Sequence, residues 1–363
     1  MSEDLKPVAK KILEKYPIWT IRENKSIWIY DQKKGFFMPN ADTYIGEICV
    51  HSDVYNVRSF YNELLFTIKQ MTWITIDKFE SDPNYINLNN GVYDVVNDKI
   101  LDHDPKYKFK YTIDIEYDKF AYCPIFEKMV RKMTKTLEDY YLLQRWFGYQ
   151  FFKSLQRIEK KSLFIEGPPD AGKTTIFWVL QQINGEGNYS THSLRDISND
   201  TKYYSTDLYG KSANICGDIS TFGPKDVSIF KQLTGADRIT GRIIRKMPFS
   251  FVSHVKFSFA CNKFPYIKEP ILSDKAFWNR IMIVMVQKGY EEEDKSVRDK
   301  LRKELPGIIN WTIEGYKDYI KHGFDCYNKN WEDTRDTWVK NMAKMEPSSR
   351  SQIVLEEEIL PFP

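Results

Sequence analysis

Ser162-Leu-Phe-Ile-Glu-Gly-Pro-Pro-Asp-Ala-Gly-Lys-Thr-Thr175 decides the fold. Its apolar opening, Leu163, Phe164 and Ile165, reads as a buried strand. The next eight residues, Gly167, Pro168, Pro169, Asp170, Ala171, Gly172, Lys173 and Thr174, fit G-x-x-x-x-G-K-[ST] at every fixed position. Beyond Thr175, the residues Ile176, Phe177, Val179, Leu180 and Ile183 recur at helical spacing until Gly185 and Gly187 stop the helix. Strand, loop, helix is the context this motif requires. Loop glycines let backbone N–H groups wrap phosphates, and the helix N-terminus adds its positive dipole end. Lys173 is placed to reach the β- and γ-phosphates and the Thr174 hydroxyl to ligate Mg²⁺. The stretch therefore implies a nucleoside triphosphate site in an α/β fold.

Two later strands extend the pattern. The run from Tyr209 to Asp218 turns apolar at Ile215 and Cys216 and ends on a carboxylate, where the Mg²⁺ partner in a strand beside the P-loop strand is expected. A third run, Val255-Lys-Phe-Ser-Phe-Ala-Cys-Asn262, ends on an amide. Asn262 suits an attacking water and a γ-phosphate, or else a simple Asn-Lys turn. Between these runs, residues 238–256 hold five Lys/Arg and no carboxylate, in a stretch that reads as a hairpin. Arg242, Arg245 and Lys246 suit sequence-independent phosphate contacts; a basic surface hairpin is the plainer reading. Arg280 precedes a buried strand, Ile281 to Val286, and reads as an arginine finger or a structural salt bridge.

Composition bounds the rest. A chain of 363 residues that is 42% hydrophobic has material for two or three cores and is not intrinsically disordered. No apolar run approaches the ~18 residues of a membrane span, and the start, Met-Ser-Glu-Asp-Leu-Lys, has no signal-peptide pattern, so a cytoplasmic protein is expected. Five cysteines, Cys49, Cys123, Cys216, Cys261 and Cys326, stand singly, which argues against a zinc site or a disulfide framework. A net charge of only +3 means that any nucleic-acid contact must come from local clustering.

Upstream, residues 4–16 read as an amphipathic helix, followed by strands near 18–21, 26–30 and 35–38 and a helical stretch from 45 to 71. Residues 85–105 read as strands joined at Asn90-Gly91 and Asn97-Asp98. In residues 111–116 the alternating Asp114 and Glu116 read as a solvated strand edge. Residues 126–161 read as helices, and the chain from Asp325 onward as a mixed, charged tail.

Taken together, these pieces resemble the superfamily 3 helicases, in the phage/plasmid primase-associated, poxvirus-type primase–helicase branch. The likeness rests on residues 167–174, Leu208-Tyr-Gly-Lys through Asp218, Phe230-Lys-Gln-Leu-Thr-Gly-Ala-Asp-Arg238, Phe257 through Pro265, and Phe277-Trp-Asn-Arg280. Residues 87–105 and 117–124 resemble the family's N-terminal domain. The resemblance implies an AAA+-like P-loop ATPase core, a parallel sheet flanked by helices, at 161–325. An N-terminal α+β domain at 1–125, a helical connector or oligomerisation segment at 126–160 and a charged tail at 326–363 complete the expected organisation. It further implies an ATP hydrolase and replicative DNA helicase of a mobile element, using ATP and Mg²⁺, working as a homo-oligomer, usually a hexamer, on single-stranded and forked DNA. An AAA+ replication initiator that hydrolyses ATP without processive unwinding is the alternative. Lys173 and Thr174 match the Walker A roles, Asp218 the Walker B acid, Asn262 the sensor and Arg280 the finger, with the basic hairpin at the position of the DNA-tracking loop. Relatives place Glu, often in an acidic pair, where this chain has Gly217-Asp218, one methylene shorter. Relatives also carry a primase domain upstream and a winged-helix domain downstream, neither of which is legible here.

Overall fold

The structure, a computed structural model, describes residues 5–51, 57–151, 159–198, 204–241, 249–289, 294–327 and 329–342. The chain opens with α1 (Lys6–Lys15) and an antiparallel set of β1 (Ile18–Ile21), β2 (Ile27–Asp31) and β3 (Phe36–Pro39). Helices α2 (Ala41–Val50) and α3 (Val57–Met71) then return to β4 (Trp73–Ile74), which pairs parallel to β1 at the sheet edge. The helices cover one face of this four-stranded sheet, where Ile18, Ile27 and Ile29 pack on Ala41, Ile45, Leu64 and Ile68. On the other face, Phe37 stacks edge-on against Tyr30 and Phe79. Successive side chains point to opposite faces, and near-continuous apolar and aromatic residues in these strands supply both.

A three-stranded meander follows: β5 (Tyr85–Leu88), β6 (Gly91–Asp94) and β7 (Lys99–Leu101). Residues 111–116 add a single parallel bridge at Leu88–Ile113, with Ile113 and Ile115 buried and Asp114 and Glu116 exposed. That is the solvated edge expected of them. Next come α4 (Pro124–Met133) and α5 (Leu137–Tyr149), the latter capped by Thr136, whose hydroxyl accepts from the Asp139 N–H at 3.0 Å.

The remaining elements build a five-stranded, all-parallel sheet: β8 (Ser162–Glu166), α6 (Lys173–Asn184), β9 (Tyr189–Ser190), the short helices α7 (Leu194–Ser198) and α8 (Tyr204–Asp207), β10 (Ala213–Cys216), α9 (Ser228–Thr234), the hairpin β11 (Arg238–Gly241) and β12 (Phe249–Val252), β13 (Lys256–Cys261), α10 (Lys275–Trp278), β14 (Ile281–Met285), α11 (Val297–His322) and α12 (Trp331–Lys340). Its strand order is β14-β8-β13-β10-β9. Helices flank both faces, so the fold is mixed α/β. Leu163, Ile165, Met282 and Val284 face α5, α6 and α11 in one core. Phe164, Phe257, Phe259, Ile281 and Ile283 face α9, α10 and α12 in the other. β8 and β13 are buried along their whole length, β8 around the apolar run Leu163-Phe-Ile165 and β13 with Lys256 and Ser258 buried among Phe257, Phe259, Ala260 and Cys261.

Two sequence expectations change in the structure. The strand ending at Asp218 is not beside the P-loop strand, because β13 lies between them, pairing with β8 on one side and β10 on the other. The six-residue, fully buried β13 is better suited to the centre than the four-residue β10. After Gly289 comes one helix, α11, 26 residues long, which continues through Pro306. It packs on α5 where glycine faces backbone: a Cβ on Gly148 would lie 2.1 Å from Tyr316 N, and one on Gly315 2.1 Å from Gln144 O. Residues of α4 and α5 thus share a core with the sheet. Finally, the charged tail contains α12. Its Trp338 is 0% exposed, stacks on Phe264 at 4.4 Å and donates to Pro265 O at 2.9 Å. One buried tryptophan in a polar stretch has no periodic signal to reveal it.

Trp338→Ala should therefore cost about 3–5 kcal/mol, seen as an earlier urea-unfolding transition. Val339→Ala, at a position 43% exposed, should stay within ~0.5 kcal/mol of the parent. Equal transitions for the two variants would return α12 to the status of a tail.

Candidate functional site

The site forms where the parallel strands end. β8 leaves the sheet at Glu166, and the Gly167 N–H donates to Cys261 O at 3.3 Å, tying the loop to β13. Pro168, Pro169, Asp170 and Thr174 are exposed, Gly172 and Thr175 half-buried, and Gly167, Ala171 and Lys173 buried. The loop turns through Asp170 at φ 60° and Gly172 at φ 85° into α6. Gly172 is the N-cap of α6 and no side chain caps it, which leaves first-turn N–H groups for an outside acceptor.

Lys173 is 8% exposed, and its ammonium donates to three neutral oxygens: Gly167 O at 2.8 Å, Pro168 O at 2.7 Å and Asn262 Oδ1 at 2.9 Å. Burial pulls its pKa below that of an ordinary lysine, against the opposing fields of Cys261, Glu166, Asp218 and Asp170. Asn262 is exposed one residue past the end of β13, so the central strand delivers its amide directly to the loop. Asp218 is exposed two residues past β10, near enough to act on Lys173 through its charge. Thr174 and Thr175 lie in the first turn of α6. Lys173, Asn262 and Asp218 therefore lie at the same end of the sheet, where the parallel strands finish.

Arg280 is not gathered with them. The Ser162 N–H donates to Arg280 O at 2.7 Å, which puts Arg280 where β8 begins. The loop lies where β8 ends, five residues on, roughly 16 Å at 3.3 Å per residue. Its guanidinium donates to Thr234 Oγ1 at 2.9 Å, to Lys231 O at 3.3 Å and to Ala276 O. These acceptors sit at the C-terminus of α9 and in α10, which are also joined by a 2.6 Å ion pair between Lys231 and Asp274. Among the described residues the hydrogen bonds of Arg280 make it a helix-end clamp on neutral acceptors, with Asp274 and Asp237 acting on it through their charge.

The basic stretch does form a hairpin at its base, with Arg238 opposite Val252 and Gly241 opposite Phe249. Arg242, Arg245 and Lys246 lie outside the described residues. Sequence reading passed over Glu166, which closes β8 opposite Cys261 and Met285 and is 8% exposed. Burial raises its pKa, with Lys135, Lys173 and Lys263 opposing. The signal was the one used for Asp218, a carboxylate that ends an apolar strand.

With the geometry in place, comparison with known proteins divides the chain in two. Residues 9–135 match the family described as D5 N terminal like. Residues 165–276, which hold the loop, Asp218 and Asn262, match a family of unknown function (DUF5906). No curated protein matches. Among solved structures, the apo NrS-1 C-terminal region (305–718) aligns over 99% of this chain and 84% of its own, at TM-score 0.59 and 12% identity. Its A form aligns over 93% of this chain and 75% of its own, at TM-score 0.58 and 12% identity. At that identity the likeness is one of fold, and it runs through both halves of the chain. No helix among the described residues is long and apolar enough to cross a membrane.

The clamp predicts a split between two site residues. Arg280→Ala strands acceptors at the end of α9 and should destabilise the isolated chain by about 1–3 kcal/mol. Asp218→Asn, at an exposed position, should leave stability within ~0.5 kcal/mol. Thermal unfolding of the dilute chain reads both; an unchanged midpoint for Arg280→Ala would leave it only a role toward another subunit.

Proposed function

We propose that this chain is an AAA+-like P-loop ATPase of the superfamily 3 type, which hydrolyses ATP to drive movement on DNA during replication of a mobile element. The observation that carries this reading is the Lys173 ammonium, buried among three neutral oxygens at the head of an uncapped helix. A buried cation without a direct anionic partner among the described residues favours an incoming anion, and a triphosphate supplies one. The D5 N terminal like match across 9–135 supports the primase–helicase setting.

In this reading Lys173 exchanges neutral acceptors for phosphate oxygens, and Asn262, relieved of Lys173, is available to a water or the γ-phosphate. Thr174 and Asp218 would hold Mg²⁺, which takes one or two protein oxygens and completes its shell with phosphate and water. Bound there, it supplies Lewis-acid charge to the phosphoryl oxygens. Residues 167–175 would enclose the phosphates. Arg280 would serve as a finger only across an interface, because in its own chain it lies at the far edge of the sheet. That requirement favours a ring of copies, a hexamer by the family resemblance, working on single-stranded and forked DNA in the host-cell cytoplasm. A primase domain or protein is the fitting partner.

Lys173→Ala should abolish ATP hydrolysis while leaving the fold intact, since it removes an inward charge and little packing. Near-normal turnover in that variant would sink the assignment. Mixing Lys173→Ala with Arg280→Ala subunits should recover part of the activity if the finger acts in trans. A forked duplex left intact by an active ATPase would move the protein to the initiator class.

The hairpin gives a separate test. Neutralising Arg245 and Lys246 should weaken oligonucleotide binding equally for all sequences and flatten the log–log salt dependence by about 0.7 for each lost contact. Basal ATPase should persist while its stimulation by DNA falls. An unchanged salt slope would make the hairpin an ordinary solvated loop.

A further inference from the structure

Away from the loop, a groove of about 480 Å³ opens between the meander, α4, α5 and α11. Its aromatic lining is partly committed. Trp311 Nε1 donates to Tyr140 Oη at 2.7 Å, the Arg131 guanidinium lies 4.4 Å from the Tyr140 ring, and Tyr93 packs on Tyr117 at 4.8 Å. Two further tyrosines are left facing solvent: Tyr122, 82% exposed, and Tyr141, 46% exposed. They come from different elements, Tyr122 from the loop before α4 and Tyr141 from α5.

The Tyr122 loop is exposed yet fixed. Asn90 exchanges two hydrogen bonds with the Tyr117 backbone, at 2.8 and 3.0 Å. Asn310 on α11 donates to Asp118 O at 2.8 Å and Ala121 O at 2.9 Å. Beneath Tyr122, α11 carries Gly307, where a Cβ would lie 2.3 Å from the Tyr122 carbonyl. An aromatic ring displayed on a pinned loop loses little entropy when a flat ligand covers it.

Charge narrows the ligand. The lining has three carboxylates and three cations. Asp98 takes Lys317 at 2.9 Å and the Tyr93 hydroxyl, Glu314 shares Lys317 at 3.4 Å, and Glu127 faces Arg131 at 4.0 Å. The acids are thus screened from a polyanion, and the third cation, Lys119, is exposed. Hydroxyls, amides and ion pairs interrupt the aromatic surface, which suits a stacked base better than an apolar protein face.

We propose that this groove is a stacking site for unpaired bases of single-stranded DNA, held against Tyr122 and Tyr141, with Lys119 at the backbone. It is a second contact, independent of the basic hairpin, and rests on the reading of the chain as a DNA-dependent ATPase. Because stacking dominates, its contribution persists at salt concentrations that remove phosphate contacts.

The experiment uses the full chain and a fluorescent dT20 oligonucleotide, followed by anisotropy at low and high salt. Tyr122→Ala/Tyr141→Ala should weaken binding by about fivefold or more at both salts. Tyr122→Phe/Tyr141→Phe should restore it, and basal ATPase should be unchanged in both. A 5-iodouracil oligonucleotide should cross-link to Tyr122 or Tyr141 in the parent chain. Parent-like binding by the alanine variant, or cross-links only outside the groove, overturns the proposal and leaves the ATPase reading standing. A parent chain that binds no oligonucleotide overturns the DNA reading and this site with it. If the alanine variant instead changes the mass of the assembly with DNA affinity intact, the groove is an interface between copies.

Discussion

Burying an ammonium ion is costly unless polar groups converge on it, and much of this fold is arranged to bring them to Lys173. Two acceptors are carbonyls of the loop itself, and the third is the amide of Asn262, delivered by the neighbouring strand. That delivery depends on β13 sitting between β8 and β10, in register so that Cys261 pairs with Glu166 and the next residue reaches across. A one-residue slip would turn Asn262 away and put Cys261, now in the core beside Phe264, at the loop. Sheet order and site chemistry are therefore one constraint.

The same sheet end is joined to the helical layer by close packing. Gly167 leaves no room for a side chain, since a Cβ there would lie 2.6 Å from both Val286 O and its Cγ2. Val286 in turn pairs with Thr134, at the end of α4, in an antiparallel bridge. From α4 the packing continues to α11, whose Glu304 carboxylate accepts from the Ile125 and Phe126 N–H groups at 3.0 and 2.9 Å and so caps α4. Loop, strand end, α4 and α11 make one contiguous body. The meander belongs to it too, through Ile86, Leu88 and Tyr93 in the shared core.

What the sequence made legible was local. The loop at 167–174 announces itself because the P-loop motif sets fixed residues at fixed spacing, and the strands before Asp218 and Asn262 by short, largely apolar stretches that stop at a polar residue. The N-terminal strands and α1 follow from their alternation and periodicity. What stayed hidden was tertiary. Nothing local says that β13 is inserted between β8 and β10, because parallel order is set by which strand can be buried on both faces. Arg280 looks the same in sequence whether it clamps α9 or reaches outward. Trp338 sits among Glu332, Asp333, Arg335 and Asp336, whose charges mask its burial. The groove was unreadable for a plain reason: its tyrosines come from β6, the loop before α4 and α5, and its floor from α11 far along the chain.

Charge distribution at the sheet end carries the argument one step further. The cation is dry and the acids differ: Lys173 and Glu166 are each 8% exposed, whereas Asp218 and Asp170 face solvent. An exposed carboxylate keeps its hydration and can take a hydrated cation without first losing much, while a buried ammonium has already been stripped of water and binds an anion with little further desolvation. Glu166 lies with Cys261 and Met285, whereas Asn262, the next residue after Cys261, meets Lys173. By strand alternation that places Glu166 on the face opposite Asn262, from where its charge acts on Lys173. The site is thus polarised before any ligand arrives, with its positive pole fixed in the protein and its negative pole open to solvent.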